Sequence, residues 1–155
     1  MATPSTEPME DRLKRIKAAD IMTHHTITTT EDAMIAEIAD MMMRFKISGI
    51  PVLSNDKKIV GIITTTDLFR LMQNITTNIE HGAVLTDYYR LQVKSVMTTK
   101  VVSIVPETSL YDVMKLMNEK NIHTVPVIVI SKQEIVGVLG RRDVINACYT
   151  PSPAK

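Results

Sequence analysis

The chain has no tryptophan, one cysteine, two phenylalanines and five glycines among its 155 residues. Each scarcity excludes something. The lone Cys148 forbids an internal disulfide and fits a reducing compartment. Five glycines leave no glycine-rich loop of the Walker type to cradle a phosphate. No Cys-His or Ser-His-Asp arrangement and no metal-ligand spacing stands out, so an enzyme is the least expected reading. No apolar run approaches the roughly 18 residues that a membrane-spanning helix needs. The opening MATPSTEPMEDRLKRIK has no apolar centre for a signal peptide. A cytoplasmic location is therefore expected. Charge of one sign is also lacking: the net charge is +1, which favours neither a nucleic acid nor an anionic membrane as partner.

What is present is aliphatic. Hydrophobic residues make up 45% of the chain and eleven of them are methionine, so the core is expected to be aliphatic and adaptable. The run Met41-Met42-Met43 is better explained by a helix that is apolar on more than one face than by a metal or heme ligand set. His24 and His25 are adjacent, point to opposite faces of a strand and make a poor metal pair. No metal is expected.

The chain repeats itself. The segment from ADIMT to SGIPVL aligns without a gap on KSVMT to HTVPVI at an offset of 75. Met22-Thr23 falls on Met97-Thr98, Met42 on Met117, Ile47 on Ile122, and Pro51-Val52 on Pro126-Val127. After one inserted residue KIVGIITTTDLF falls on EIVGVLGRRDVI at an offset of 76, with Gly61 on Gly137 and Asp67 on Asp143. A repeat of half the chain fits a pseudo-two-fold pair better than a solenoid.

Each half predicts the order β-α-β-β-α. A brief strand is expected near residues 26–28 and again over 101–104. Helices follow, with Ile35, Ile38, Met42 and Phe45 in one apolar stripe and Leu110, Val113 and Met117 in the other. Asp32 and Glu107 sit near the expected helix starts, where the dipole favours negative charge. IPVL with KIVGIIT, and VPVIVI with EIVGVLG, read as hairpins of buried strands. A last helix begins near Thr65 and near Arg141. Residues 1–13 read as a disordered or linker segment, 14–80 as the first repeat, 81–92 as a connector with its helix end at His81-Gly82, and 93–149 as the second repeat. The tail after 149 is expected to fray.

Residues 61–67, GIITTTD, place hydroxyls and a carboxylate where an apolar strand meets a helix. Thr64 with Asp67 could be a capping box, although Asp is a poorer third member than Glu. The alternative is a ligand site, since a carboxylate can accept from a vicinal diol and a helix start attracts an anion. In the second copy Gly140 has no side chain to complete a reciprocal box, yet Asp143 is kept, which leans towards a role beyond capping.

The β-α-β-β-α repeat with IMT, ISGIPVL and GIITTTD resembles the CBS domain (cystathionine-beta-synthase domain), here as a tandem pair over about residues 14–148. The resemblance implies an α/β (α+β) fold, two repeats packed about a pseudo-two-fold axis, and clefts that take an adenosine-containing ligand. It implies a regulatory module with no attached catalytic domain, and AMP, ADP or ATP as ligand, with S-adenosylmethionine or NAD as alternatives. It also implies that the aspartate of the motif holds ribose and that its Thr or Ser helps hold phosphate. For the first motif this points to Asp67, Thr64 and Thr66 with Ile62, together with Ile122, His123 and Thr124, and with Met97 and Thr98 near the base. For the second it points to Asp143 and Val138, to Ile47, Ser48 and Gly49, and to Asp20, Met22 and Thr23 near the base. His123 could serve either. Gly140 departs from the motif, and Arg141 and Arg142 could supply the missing phosphate contact. Ile50 and Pro51 of IPV could face a purine. A flat homodimer and an unidentified regulated protein are the partners implied. The competing reading is a scaffold protein with degenerate, empty clefts.

Overall fold

Residues 6–80 and 90–150 are described by a computed structural model, with the side chains of 78–80 set aside. The chain divides into two compact units, one made of Ile27–Val101 and the other of the segment up to Thr26 joined with that from Val102 onward. The sequence repeats are both contiguous, whereas one compact unit joins two separate segments and neither unit coincides with a repeat. Each unit combines one repeat's hairpin with the Met-Thr segment of the other repeat.

In the unit 27–101, β1 (Thr29–Thr30) runs parallel to β2 (Gly49–Leu53), and β2 pairs antiparallel with β3 (Ile59–Thr64). Between β1 and β2 lies helix α3 (Ile35–Phe45). Helix α4 (Thr65–Glu80) follows β3 directly. Ile35, Ile38 and Met42 of α3 are buried against Ile50, Val52, Ile63 and Val93. The three-and-four spacing supplies that stripe, and a fully buried aliphatic side chain contributes about 1.5–3 kcal/mol.

In the other unit, β4 (Thr124–Val129) pairs antiparallel with β5 (Glu134–Gly140), and Ile104 bridges Val127 in parallel. The first strand of this repeat is thus a single bridge. Helix α5 (Leu110–Lys120) buries Leu110, Val113 and Met117, and α6 (Arg141–Tyr149) follows β5. Both α3 and α5 end on a residue in the left-handed region, Lys46 at φ 55° and Asn121 at φ 51°. The offset of 75 preserves even this turn.

Several expectations need correction. The first strand lies at Thr29–Thr30 rather than at 26–28. Helices α3 and α5 begin three residues after Asp32 and Glu107. Ser109 caps α5 by accepting from the Asp112 N–H at 3.2 Å, and Asp32 instead pairs with Lys94 at 3.5 Å. Phe45 does not join the core: it is 51% exposed, and Met43 is 71% exposed. The expected helix end at His81-Gly82 falls outside the described residues.

The largest correction concerns the amino-terminal segment. Helix α1 (Met9–Arg15) occupies part of the stretch expected to be linker, and the one-turn helix α2 (Ala18–Ile21) follows it. Leu13 and Ala18 enter the core built on α5 and β4. Arg12 is buried and reaches the carboxyl end of α6, donating from Nε to the Ala147 carbonyl at 2.9 Å and from a terminal nitrogen to the Thr150 carbonyl at 2.9 Å. A cation is favourable there because the last carbonyls of a helix lack partners within it. Replacing Arg12 by Ala should remove about 1.5–3 kcal/mol of stability, read as a lower urea midpoint, because hydrogen bonds to a charged group are lost and two carbonyls are stranded. An unchanged midpoint would show that α1 does not hold α6.

Candidate functional site

The two motifs sit where a strand passes straight into a helix. In the unit 27–101, β3 ends at Thr64 and α4 begins at Thr65, whose N–H donates to the Ser48 carbonyl at 2.9 Å. Asp67 is buried in the first turn. Its Oδ2 accepts from the Thr64 N–H at 2.8 Å and from the Thr64 hydroxyl at 3.1 Å, while the Asp67 N–H donates to Thr64 Oγ1 at 3.3 Å. This is a reciprocal capping box. Its Oδ1 accepts from the Thr98 hydroxyl at 3.0 Å and faces an Arg70 guanidinium nitrogen at 3.6 Å.

Thr98 reaches Asp67 because its segment forms a further edge of this sheet. The Thr98 N–H donates to the Ile62 carbonyl at 2.8 Å, and the Ile62 N–H donates back to the Thr98 carbonyl at 2.9 Å. Gly61 permits that approach: a Cβ built on it would lie 2.6 Å from Met97 Sδ and 3.0 Å from the Thr98 carbonyl oxygen. Here the absence of a side chain is a packing requirement.

The other unit repeats the plan with Met22 and Thr23. Thr23 exchanges backbone hydrogen bonds with Val138 at 3.1 and 3.2 Å. A Cβ on Gly137 would lie 2.6 Å from Met22 Sδ and 2.8 Å from its Cγ. Asp143, half-buried, accepts from the Gly140 N–H at 2.7 Å through Oδ2. Glycine cannot return a hydroxyl, so only half of the box is made. The acid half works without its partner, as it does at Asp20, which accepts from the Lys17 N–H at 2.8 Å. Retention of Asp143 beside Gly140 therefore needs no ligand to explain it.

The remaining expected residues divide between these two places. Ile47, Ser48 and Gly49 lie beside Asp67, in its own unit. Ile122, His123 and Thr124 lie beside Asp143, where the His123 carbonyl accepts from the Arg141 N–H at 3.0 Å and Thr124 pairs with Gly140. Ile50 and Pro51 are buried in β2, and Ile50 belongs to the core, so neither presents an exposed face for a purine. Thr66 and Arg142 are exposed at the two helix starts. Arg141 turns away from its own helix start: its guanidinium donates to the Ile122 carbonyl at 3.2 Å and to the Met117 carbonyl at 3.5 Å, closing the end of α5. Of the arginine pair, Arg142 alone points to no partner among the described residues. Arg70 was missed by the sequence reading. The signal was its place one turn after Asp67 on the same helix.

Among the described residues no group of three or more His, Cys, Asp or Glu is placed to hold a metal, and no helix is long and apolar enough to cross a membrane. Burial pushes the Cys148 thiol up, against a smaller opposing effect of Arg12, and a protonated thiol is a weak nucleophile.

With the geometry described, the chain's relatives give it a class. The CBS domain profile matches residues 18–74 and 93–150, and the chain belongs to the CBS domain family as a tandem pair of β-α-β-β-α repeats. Protein MJ1232 of Methanocaldococcus jannaschii is 30% identical over 134 residues, covering 86% of this chain and 40% of its own. A homoserine O-acetyltransferase of Methanosphaera stadtmanae is 34% identical over 116 residues, covering 75% of this chain. The chain thus spans 40% and 21% of the length of these two relatives. Among solved structures, the CBS domain pair of protein MJ0100, in complex with 5′-methylthioadenosine and S-adenosyl-L-methionine, matches with a TM-score of 0.70 at 24% identity, covering 84% of this chain and 94% of that one. CBSX2 in complex with AMP matches at 0.69 and 22%, with the same coverage of 84% and 94%. At these identities the likeness establishes the fold.

Gly137→Ala should destabilise the unit that holds Met22 by about 1–3 kcal/mol, because the added methyl meets atoms near the Met22 backbone as well as its sulfur. Met22→Ala in the same chain should recover part of the loss. Additive losses in a double-mutant cycle would show that the two residues do not press on each other.

Proposed function

We propose that the chain is a non-catalytic regulatory module that binds an adenosine-containing ligand at Asp67 and Asp143, with AMP, ADP or ATP preferred over S-adenosylmethionine or NAD. The observation that carries this reading is the pair of carboxylates fixed at strand-to-helix junctions, each beside a Met-Thr segment and each at the start of a helix. A carboxylate so fixed matches a ribose diol, and the positive end of a helix dipole suits a phosphate. The solved CBS pairs carrying AMP and S-adenosyl-L-methionine support the adenosyl class. The exposed Arg142 favours a phosphorylated ligand. Binding then biases the conformations available to the chain, and a regulated protein reads the change.

The test is thermal unfolding with AMP, ADP, ATP, S-adenosylmethionine and NAD, on wild type, Asp67→Asn and Asp143→Asn. Asparagine keeps an acceptor for the cap, so folding is spared while the charge is removed. A ligand at 100 times its Kd adds about 2.7 kcal/mol, or roughly 5–10 °C. The reading expects such a shift with a nucleotide, reduced by one or both substitutions. No shift with any ligand at millimolar concentration favours the scaffold reading.

Self-association belongs to the same proposal. Phe69 and Met72 on α4 are 71% and 59% exposed, and Ile145 and Tyr149 on α6 are 56% and 73% exposed. The offset of 76 relates Phe69 to Ile145, so each unit's last helix carries an apolar stripe. Such stripes mark an interaction surface, here for a homodimer. Light scattering after gel filtration should give twice the chain mass for wild type and the single mass for Phe69→Glu with Tyr149→Glu. A wild-type monomer would refute the dimer.

A further inference from the structure

The two carboxylates differ in what already occupies them, and the difference is systematic. Around Asp67 three side-chain donors are present. The Thr64 hydroxyl shares Oδ2 with the Thr64 N–H, at 3.1 and 2.8 Å; the Thr98 hydroxyl takes Oδ1 at 3.0 Å, and Arg70 stands 3.6 Å from the same oxygen. Each of the three counterparts in the second motif is silent. Gly140 replaces Thr64. Thr23 replaces Thr98; its backbone pairs with Val138 as Thr98 pairs with Ile62, yet its hydroxyl makes no bond among the described residues. Asn146 replaces Arg70 and accepts instead from the Thr150 hydroxyl at 2.7 Å. Asp143 keeps the backbone cap on Oδ2 alone, and its Oδ1 takes no donor among the described residues.

A vicinal diol donates two hydrogen bonds, and a carboxylate offers about four lone-pair positions for them. At Asp143 three positions are open and one whole oxygen is unused. At Asp67 three positions are taken, the fourth faces Arg70 at 3.6 Å, and the residue is only 4% exposed. Thr98 itself is exposed, so rotation about its χ1 into another staggered well can free Oδ1. Arg70 is 64% exposed at its side chain and is a weak, easily displaced partner.

We propose that the Thr98 hydroxyl stands in for a ribose hydroxyl on Asp67, so that an adenosine ligand fills the Asp143 site first and the Asp67 site only after this latch lets go. The inference rests on the reading of both aspartates as ligand anchors. Thr98 is then the residue that sets the affinity ratio of the two sites, and the chain responds over two concentration ranges of one ligand. A neutral donor held on a carboxylate is worth roughly tenfold in affinity when it must be displaced.

The experiment is isothermal titration of AMP into wild type, Asp67→Asn, Asp143→Asn, and Asp143→Asn combined with Thr98→Val or with Thr98→Ser. Far-ultraviolet circular dichroism and a urea midpoint establish that each variant is folded. The expected result is two unequal sites in wild type. The tighter one survives Asp67→Asn and is lost in Asp143→Asn. Valine at 98 then tightens the remaining site about tenfold, and serine, which restores the hydroxyl, returns it to the weaker value. A tight site that survives Asp143→Asn, or a Thr98→Val change that leaves the Asp67 site unaltered or weaker, overturns the latch while leaving the ligand-binding reading intact. Absence of binding in wild type, with ATP and S-adenosylmethionine as well as AMP, overturns both.

Discussion

The contact on which the rest depends is methionine against glycine. Met97 lies over Gly61, and Met22 lies over Gly137, each so close that a Cβ would meet sulfur at 2.6 Å. Only a bare backbone lets the Met-Thr segment come near enough to exchange hydrogen bonds with the strand, through Thr98 with Ile62 and Thr23 with Val138. Those bonds decide which parts of the chain form a unit. Because each Met-Thr segment joins the hairpin of the other repeat, neither repeat closes its own sheet. Duplication and exchange are thus one constraint, and the site inherits it: the hydroxyl beside Asp67 comes from residue 98, far along the chain.

The aspartates show how one carboxylate can cap a helix and keep an oxygen for other partners. A helix start leaves N–H groups without partners, and a carboxylate three residues in can take the first of them. Asp20, Asp67 and Asp143 all do so, at 2.7–2.8 Å. One carboxylate oxygen is then committed to folding. What the other oxygen does is free to vary, and it varies between the motifs. The shared backbone cap leaves Asp67 enclosed and Asp143 more open, because the residues around it differ: Thr64, Thr98 and Arg70 against Gly140, Thr23 and Asn146.

Much of this was legible in the sequence, for identifiable reasons. Apolar spacing found α3 and α5, and strand-rich runs found both hairpins, because burial imposes those periods directly. The register of the repeat placed Gly61 with Gly137 and Met22 with Met97. It did not reveal that Met22 meets Gly137. An alignment reports equivalence, whereas contact depends on which unit a segment joins. Helix α1 was hidden because MEDRLKR carries one strong apolar residue, Leu13, and its main attachment is the buried Arg12, which composition reads as surface. Arg141 was misread for the opposite reason. Two arginines at a helix start suggested an anion, but one of them is long enough to reach the carbonyl end of α5.

That last case bears on the chemistry of the open site. A guanidinium bound to two carbonyls ties Arg141 to the α5 terminus, which commits two of its five N–H donors. Arg142 remains beside Asp143, exposed and one residue into the helix. The second unit thus has a carboxylate with one oxygen that takes no donor among the described residues, and has backbone alone at Gly140 where the first unit has the Thr64 hydroxyl. In the binding mode proposed above, the diol meets that free oxygen, and a phosphate meets the helix dipole and the exposed Arg142. The first unit differs: Thr64 and Thr66 stand at the helix start, and the carboxylate already accepts three hydrogen bonds. One duplicated fold therefore surrounds its two motif aspartates with different neighbours, Thr64, Thr98 and Arg70 in one copy and Gly140, Thr23 and Asn146 in the other.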